Sequence, residues 1–281
     1  MTRRDPSATA IVATRDRGHL VEDCLSALEE TTPAPSEIVV VESGSRGAAE
    51  AAEHRHSVRY AWIAQPGKSR QLNEAIRHAA GEVLLFTDDD VLVRPTWIAD
   101  LTAPFADPAV GIAFGPVDGL TRPPGPAGPT LAAGEAPFVT WLYAHGASMA
   151  VRKIAIEQAG GFDERLGPGA PAHGEEHDLL LRLRARGWRV ALAGGPPVGH
   201  LTWRNPADQR ANQLVYERGA GAFLGAALRR RSVGSLRLLA YRLRYQRGLI
   251  AVDRRFGWEA LRQLLGGLAY GVRLDERDWL G

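Results

Sequence analysis

The sequence predicts an α/β protein in which a mostly parallel sheet is flanked by helices and followed by a helical C-terminal extension. Three observations carry this reading. Short Val- and Ile-rich segments bounded by turn residues read as buried strands. Segments with apolar residues at helical spacing fall between them, and such alternation implies βαβ units and a parallel sheet covered on both faces. Beyond Pro206 the pattern is helical throughout, with glycines read as joints. The 281 residues, 45% apolar and 23% charged, have an ordinary globular composition and are long enough for a large buried core.

The expected strands are 8–13, 37–41, 58–63, 83–87 and 110–114, and the expected helices between them are 20–28, 47–54, 69–79 and 97–105. Cys24 falls with Leu20, Leu25 and Leu28 at helical spacing and reads as a core residue. As the single cysteine it excludes an internal disulfide and a multi-cysteine zinc site. Residues 115–137 hold six of the 18 prolines, so they read as a long loop and not as a helix or central strand. A strand over 147–152, a short helix ending at Gly160-Gly161, a helix over 175–186 and a strand over 189–193 follow. On the helix over 175–186, Glu176 shares a face with Leu179, Leu180 and Leu183.

The formal net charge of +2 hides a division: residues 204–281 hold 15 arginines against seven acids, a net of +8, which leaves −6 for residues 1–203. The expected organisation is therefore a catalytic-type α/β domain over 1–203 and a basic helical extension over 204–281. No apolar run approaches the ~18 residues of a membrane span. The N-terminal apolar stretch is too short for a signal-peptide core. A cytoplasmic location is expected.

In open α/β sheets ligands bind beyond the carboxyl ends of the strands, which directs attention to Thr14-Arg15, Glu42-Ser43-Gly44 and Asp88-Asp89-Asp90. Three consecutive carboxylates repel one another unless a cation or solvent offsets them. Mg²⁺ or Mn²⁺ shared with a diphosphate would do so; a solvated, helix-capping turn is the alternative. Glu175, Glu176 and Asp178 open the Leu-rich helix. Acids in a first turn complement the helix dipole, while a catalytic reading makes one of them a general base. Burial of Glu176 on the apolar face would raise its proton affinity. His200 follows a strand pattern and reads either as structural or as a further metal ligand beside Asp90. Lys68 and Arg70 stand at a helix N-terminus, where cations are unfavourable without an anionic partner such as a diphosphate. The Gly44-Ser45-Arg46-Gly47 turn lacks the spacing of a dinucleotide fingerprint.

The stretches TAIVATRDR, EIVVVESGS, GKSRQLNEAIRHAAGEVLLFTDDD, GASMAVRK, GGFDERLG and GEEHDLLLRLRARGW, in this order over about residues 8–203, resemble the inverting nucleotide-sugar glycosyltransferases of family 2, which have the GT-A fold. The resemblance implies a Rossmann-type sheet and transfer of a sugar from a nucleoside diphosphate-sugar donor. It puts Thr14 and Arg15 against the nucleotide, and Glu42 where the family has a base-contacting aspartate. Arg70 falls near the base and diphosphate. Asp88 and Asp89 match donor contacts, Asp90 the metal ligand, and His200 a histidine that completes the metal site in some members. Glu175-Glu176 stands where the family more often has Glu-Asp, which puts Glu176 first as the base, with Glu175 and Asp178 as alternates. A nucleotidyltransferase of similar fold and a non-catalytic nucleotide-sugar-binding protein are the alternative readings.

The acceptor side is less legible. The Pro/Gly-rich segment with Phe138, Trp141 and Tyr143 reads as a lid and aromatic platform, or as packing beneath a loop. The acceptor is open among small molecules, lipid-linked species, glycans and peptides. The basic tail reads as a helical cover on the acidic body, as a surface for anionic lipid giving peripheral contact at the inner face of the membrane, or as a self-association surface. No recognition motif accompanies the charge, so nucleic acid is not expected.

Overall fold

A computed structural model describes residues 6–118, 130–131, 144–201, 206–231 and 235–274. In chain order the elements are β1 (Ala8–Arg15), α1 (Gly18–Glu29), β2 (Glu37–Ser43), α2 (Ala49–Glu53), β3 (Val58–Ile63), α3 (Lys68–His78), β4 (Val83–Asp88), β5 (Val91–Leu92), α4 (Trp97–Thr102), β6 (Val110–Phe114), β7 (Thr130–Leu131), β8 (Met149–Arg152), α5 (Lys153–Gln158), α6 (Glu175–Ala185), β9 (Arg189–Leu192) and β10 (Gly199–His200). Three helices follow: α7 (Pro206–Arg229), α8 (Ser235–Val252) and α9 (Arg254–Arg273).

The main sheet has the order β3-β2-β1-β4-β8-β6-β9-β7. β3, β2, β1 and β4 are mutually parallel. β8 is inserted antiparallel between β4 and β6, β9 runs parallel to β6, and β7 closes the edge antiparallel to β9. The sheet is thus mostly parallel, as the alternation of elements predicts. Register aligns the strand ends: Thr14 lies beside Glu42, and Ala13 beside Asp88. The chemistry-bearing residues therefore collect along one edge.

Central strands buried on both faces explain the continuous apolar runs. One core packs Val12, Val40 and Leu85 under Leu25 and Leu28 of α1 and Ile98 and Leu101 of α4. The other packs Ile11, Val39 and Leu84 under Leu72 and Ile76 of α3, Ile156 of α5 and Leu180 and Leu183 of α6. Each fully buried Leu or Ile contributes roughly 1.5–3 kcal/mol. Cys24 is wholly buried in the first core, as its spacing predicts, and burial pushes its thiol well above the ordinary range.

Several boundaries differ from the sequence reading for local reasons. The helix expected over 97–105 ends at Thr102 and tightens into a 3-10 turn, Ala103–Ala106, where Pro104 enters; proline has no N–H to continue an α-helical ladder. A 3-10 turn, Gly146–Ser148, precedes β8, so the strand starts at Met149. Within the proline-rich segment Val117 bridges Val198 and Thr130–Leu131 pair with β9 at the sheet edge; residues 119–129 and 132–143, including Phe138, Trp141 and Tyr143, lie outside the described residues.

The C-terminal glycines are not joints. An added Cβ would lie 1.9 Å from the Arg218 carbonyl at Gly267, 1.9 Å from the Ala222 carbonyl at Gly271 and 2.0 Å from the Leu264 carbonyl at Gly221. These glycines sit inside α7 and α9 and let the two backbones touch, the use that offsets glycine's poor helix propensity. α7 starts at Pro206, where the helical pattern begins, and packs on α6, where Leu181, Phe223, Leu224 and Leu238 share an apolar cluster. Among the described residues no helix is long and apolar enough to cross a membrane.

Candidate active site

The carboxyl edge of the sheet is built from the ends of β1 and β4. Thr14, buried at the end of β1, donates from Oγ1 to Asp89 Oδ2 at 2.6 Å. Asp89 turns inward, with Arg17 Nη2 at 2.8 Å from its other oxygen. Burial pushes its carboxyl up to about 6, against the opposing pull of Arg17 and Thr14. Asp88 and Asp90 turn the other way. The two-stranded ladder of β5 and β10 pairs His200 with Val91 and so carries a histidine 110 residues distant to within 3.7 Å of Asp90 Oδ1. Asp88, Asp90 and His200 each offer one ligand atom, and these atoms lie within 4.8 Å of one another. Two carboxylates and an imidazole are a donor set that suits Mn²⁺ or Mg²⁺ sharing oxygens with a phosphate.

Two cations offset the acidic turn. Arg17 Nη1 lies 3.4 Å from Asp90 Oδ2. Lys68, at the start of α3, donates from Nζ to Asp88 Oδ1. Burial opposes ionisation of Asp88, but Lys68 outweighs it and holds the carboxyl below its usual range; the same pairing raises Lys68.

The opposite wall is the first turn of α6. Gly174, with φ of +105°, makes the left-handed bend that starts the helix. Glu175 folds inward, its Oε2 accepting from the Gly174 N–H at 3.1 Å, beneath Gly167. A Cβ on Gly167 would come within 2.8 Å of Ser69 Oγ and 3.2 Å of Glu175 Cδ. Glu176 faces the cavity: Oε1 lies 3.4 Å from His177 Nδ1, and its buried Oε2 has no hydrogen-bond partner among the described residues. Burial and the adjacent Glu176 push Glu175 up to about 8. Burial works on Glu176 as well, but His177 outweighs it and holds that carboxyl down at about 2. The two surroundings thus push the pair apart, Glu175 toward its protonated form and Glu176 toward its ionised one. This corrects the expectation that burial raises Glu176. The first turn of α6 is packed on more than one side, so the apolar face does not decide which acid is deepest. Asp178 is buried away from the cavity, accepting from Arg182 Nε at 2.9 Å with Arg230 of α7 at 3.4 Å.

Between these walls lies a cavity of about 310 Å³ lined by Lys68, Asp88, Glu175, Glu176 and His200 together with His145, His173, His177, Tyr216, Gly219 and Ala220. Five residues expected at a site thus line one space. Sequence patterning gives no signal for Tyr216, Gly219 or Ala220, because their place on the wall depends on how α7 docks. Arg17 was in principle legible as a cation two residues beyond Arg15, beside the acidic turn.

Residues 9–152 match the family model described as glycosyl transferase family 2. The chain belongs to glycosyl transferase family 2. Its fold is the GT-A fold: it superposes on the mannosyltransferase PcManGT from Pyrobaculum calidifontis, solved with GDP-Man and Mn²⁺, with a TM-score of 0.61 at 20% identity over 97% of this chain and 88% of that one. Glucosyl-3-phosphoglycerate synthase from Mycobacterium tuberculosis, solved with Mn²⁺, UDP and phosphoglyceric acid, gives a TM-score of 0.56 at 15% identity over 77% and 76%. The O-antigen biosynthesis protein RfbC of Myxococcus xanthus is 28% identical over 243 residues, 75% of this chain. The family 2 chain spans only 18% of that relative's length.

The remaining expected donor contacts of this family 2 chain lie outside the cavity. Arg15 is exposed beside Asp16 at 3.4 Å, and Arg70 Nε donates to Glu164 Oε2 at 2.9 Å. Glu42 is fully buried. Its Oε2 accepts from the Ala48 N–H and the Tyr60 hydroxyl, each at 2.9 Å, while Oε1 has no partner among the described residues. Burial and this carboxylate together push the Tyr60 hydroxyl up to about 12.

Proposed function

We propose that the chain is a metal-dependent, inverting glycosyltransferase that moves a sugar from a nucleoside diphosphate-sugar to an acceptor nucleophile. The observation that carries this reading is that Asp88 and His200, which cluster with the buried Asp90, line one cavity together with the carboxylate of Glu176. Asp88, Asp90 and His200 would hold Mn²⁺ or Mg²⁺, which when bound offsets charge developing on the departing diphosphate. Lys68 adds a fixed positive charge beside Asp88. Arg70 would reach the diphosphate only by leaving Glu164, and Glu42, fully buried with Oε1 unpaired among the described residues, would meet a nucleobase N–H only if its cover moved. Thr14 and Asp89 act beneath these contacts by fixing the turn, and Arg15 is placed at its open side.

Glu176 Oε2 accepts the proton of the acceptor as its nucleophile bonds to the anomeric carbon and the carbon–oxygen bond to diphosphate breaks on the opposite face. A single displacement inverts the anomeric configuration. Glu175, keeping its proton, leaves the negative charge on Glu176. Expulsion of water by the bound substrates raises the proton affinity of Glu176 toward a useful value. Asp178 has a structural role. Residues 1–203 supply the donor side and the base, and residues 204–281 close the acceptor side through Tyr216, with Trp141 and Tyr143 as further platform residues.

The test is nucleoside diphosphate release from UDP-, GDP- and dTDP-sugars with manganese or with EDTA, alongside calorimetry. Manganese-dependent release by one donor family is expected. Glu176→Gln should lower turnover by ~10²–10⁴-fold with donor affinity retained. Pyrophosphate exchange instead of diphosphate release, or near-normal turnover by Glu176→Gln, overturns the assignment.

A further inference from the structure

α8 meets α7 through an inward face that is largely polar. Its buried residues are Ser235, Leu238, Arg242 and Gln246, three of them polar, and Arg242 and Gln246 both donate to Glu217 Oε2 of α7. Leu238 packs inward with Leu239 against α7, but three other apolar side chains face solvent: Leu236 is 71% exposed, Leu243 42% and Val252 89%. At 100° per residue the outward face is a stripe of Arg237, Arg244 and Arg247, edged by Leu236 and Leu243 on one side and by Tyr241, Tyr245 and Val252 on the other. The 18 residues of α8 contain no acid. Trp258 of α9, 56% exposed, follows two further exposed arginines, Arg254 and Arg255. Of the exposed large hydrophobic residues in the described chain, all but Ile154 belong to α7, α8 and α9.

We infer that this face is a docking surface for an anionic phospholipid bilayer. Three features select that occupant. Arginines flanked by Leu, Tyr, Val and Trp match a surface that is anionic at the headgroups and apolar just below them, and basic amphipathic helices bind such interfaces lying flat. An isologous contact with a second copy would bring the acid-free arginine stripe against itself, a repulsive arrangement. The inward polar residues Arg242 and Gln246 are held by Glu217 of α7, while Leu236, Leu243 and Val252 stay 42–89% exposed. The inference is independent of the proposed catalytic roles. It has one consequence for them: α7, to which α8 is fixed, is a wall of the cavity, so docking would hold the acceptor side at the lipid surface.

The experiment is flotation of the full chain with vesicles of phosphatidylcholine alone and of phosphatidylcholine containing phosphatidylglycerol, at low and high salt. Binding only to the anionic vesicles, weakened by salt, is expected. At about 1 kcal/mol per arginine near such a surface, R237E/R244E/R247E should weaken partitioning by at least ~100-fold, and R237K/R244K/R247K should retain it. L236S/L243S should leave the salt-sensitive attraction but shorten the bound lifetime. All of the substituted side chains are exposed, and an unchanged melting temperature verifies each variant's fold. Equal binding to both vesicles, no binding at low salt, or an unchanged glutamate variant overturns the inference. So does a concentration-dependent dimer abolished by L236S/L243S, or salt-sensitive binding to RNA with none to vesicles.

Discussion

At the scale of single residues, the three acids opening α6 have separate fates that follow from what surrounds each. Asp178 is neutralised by Arg182 and Arg230 in a buried cluster. Removing one member of such a cluster leaves an uncompensated charge, so Asp178→Asn should cost about 3–5 kcal/mol in urea unfolding while turnover per folded molecule is kept. Glu175 gives a pH signature. Its carboxyl holds a proton to about pH 8 in the folded chain but loses it at the ordinary carboxylate range when unfolded. The folded state therefore binds more protons across that interval, and stability falls as pH rises through it. Glu175→Gln removes that slope: its melting temperature should match wild type below the interval and exceed it by several degrees at pH 8. An identical slope in both proteins would place the proton elsewhere. All three acids were legible as candidates from their position in a helix first turn. Their surroundings were not, because beside His177 of the same turn they depend on Gly167 and Arg230, which packing brings from two other segments.

At the scale of elements, strands and helices follow short-range patterns and were read nearly to the residue: β3 and β6 match their expected bounds, and β1, β2 and β4 extend by one or two residues into the polar ends that carry Arg15, Ser43 and Asp88. The C-terminal glycines were misread because a mid-helix glycine and a helix joint look alike without a partner helix. The contact at the α7–α9 crossing gives paired expectations. Gly271→Ala, whose Cβ would meet the Ala222 carbonyl at 1.9 Å, should destabilise by about 1–3 kcal/mol through overpacking. Gly248→Ala in α8, where nothing lies within 4 Å, should stabilise by about 0.5–1 kcal/mol through the helix propensity of alanine. Thermal melts of both variants test the crossing. A stabilised Gly271→Ala would mean that the two backbones are farther apart.

At the scale of the whole molecule, the basic extension beyond residue 203 packs on the α/β part of the chain. α7 covers Leu181 and Asp178 of α6 and supplies Tyr216 to the cavity. A chain ending at residue 203 exposes that apolar cluster and leaves the Asp178–Arg182 pair without Arg230. It should therefore aggregate or melt well below the full chain in differential scanning calorimetry. A truncated chain with an unchanged melting temperature and intact donor binding would mean that residues 1–203 stand without the extension. The periodicity of apolar residues, two in strands and 3.6 in helices, is a local property, and from it alone follow the element order, the sheet class and the edge at which ligands gather. Orientation at that edge is long-range. His200 reaches Asp90 only through the β5–β10 ladder, Glu176 faces the cavity only because Glu175 and Asp178 are claimed from other sides, and Tyr216 arrives only with the docking of α7. Each of these depends on side chains distant in sequence competing for the same buried volume and charge, which no one-dimensional pattern records.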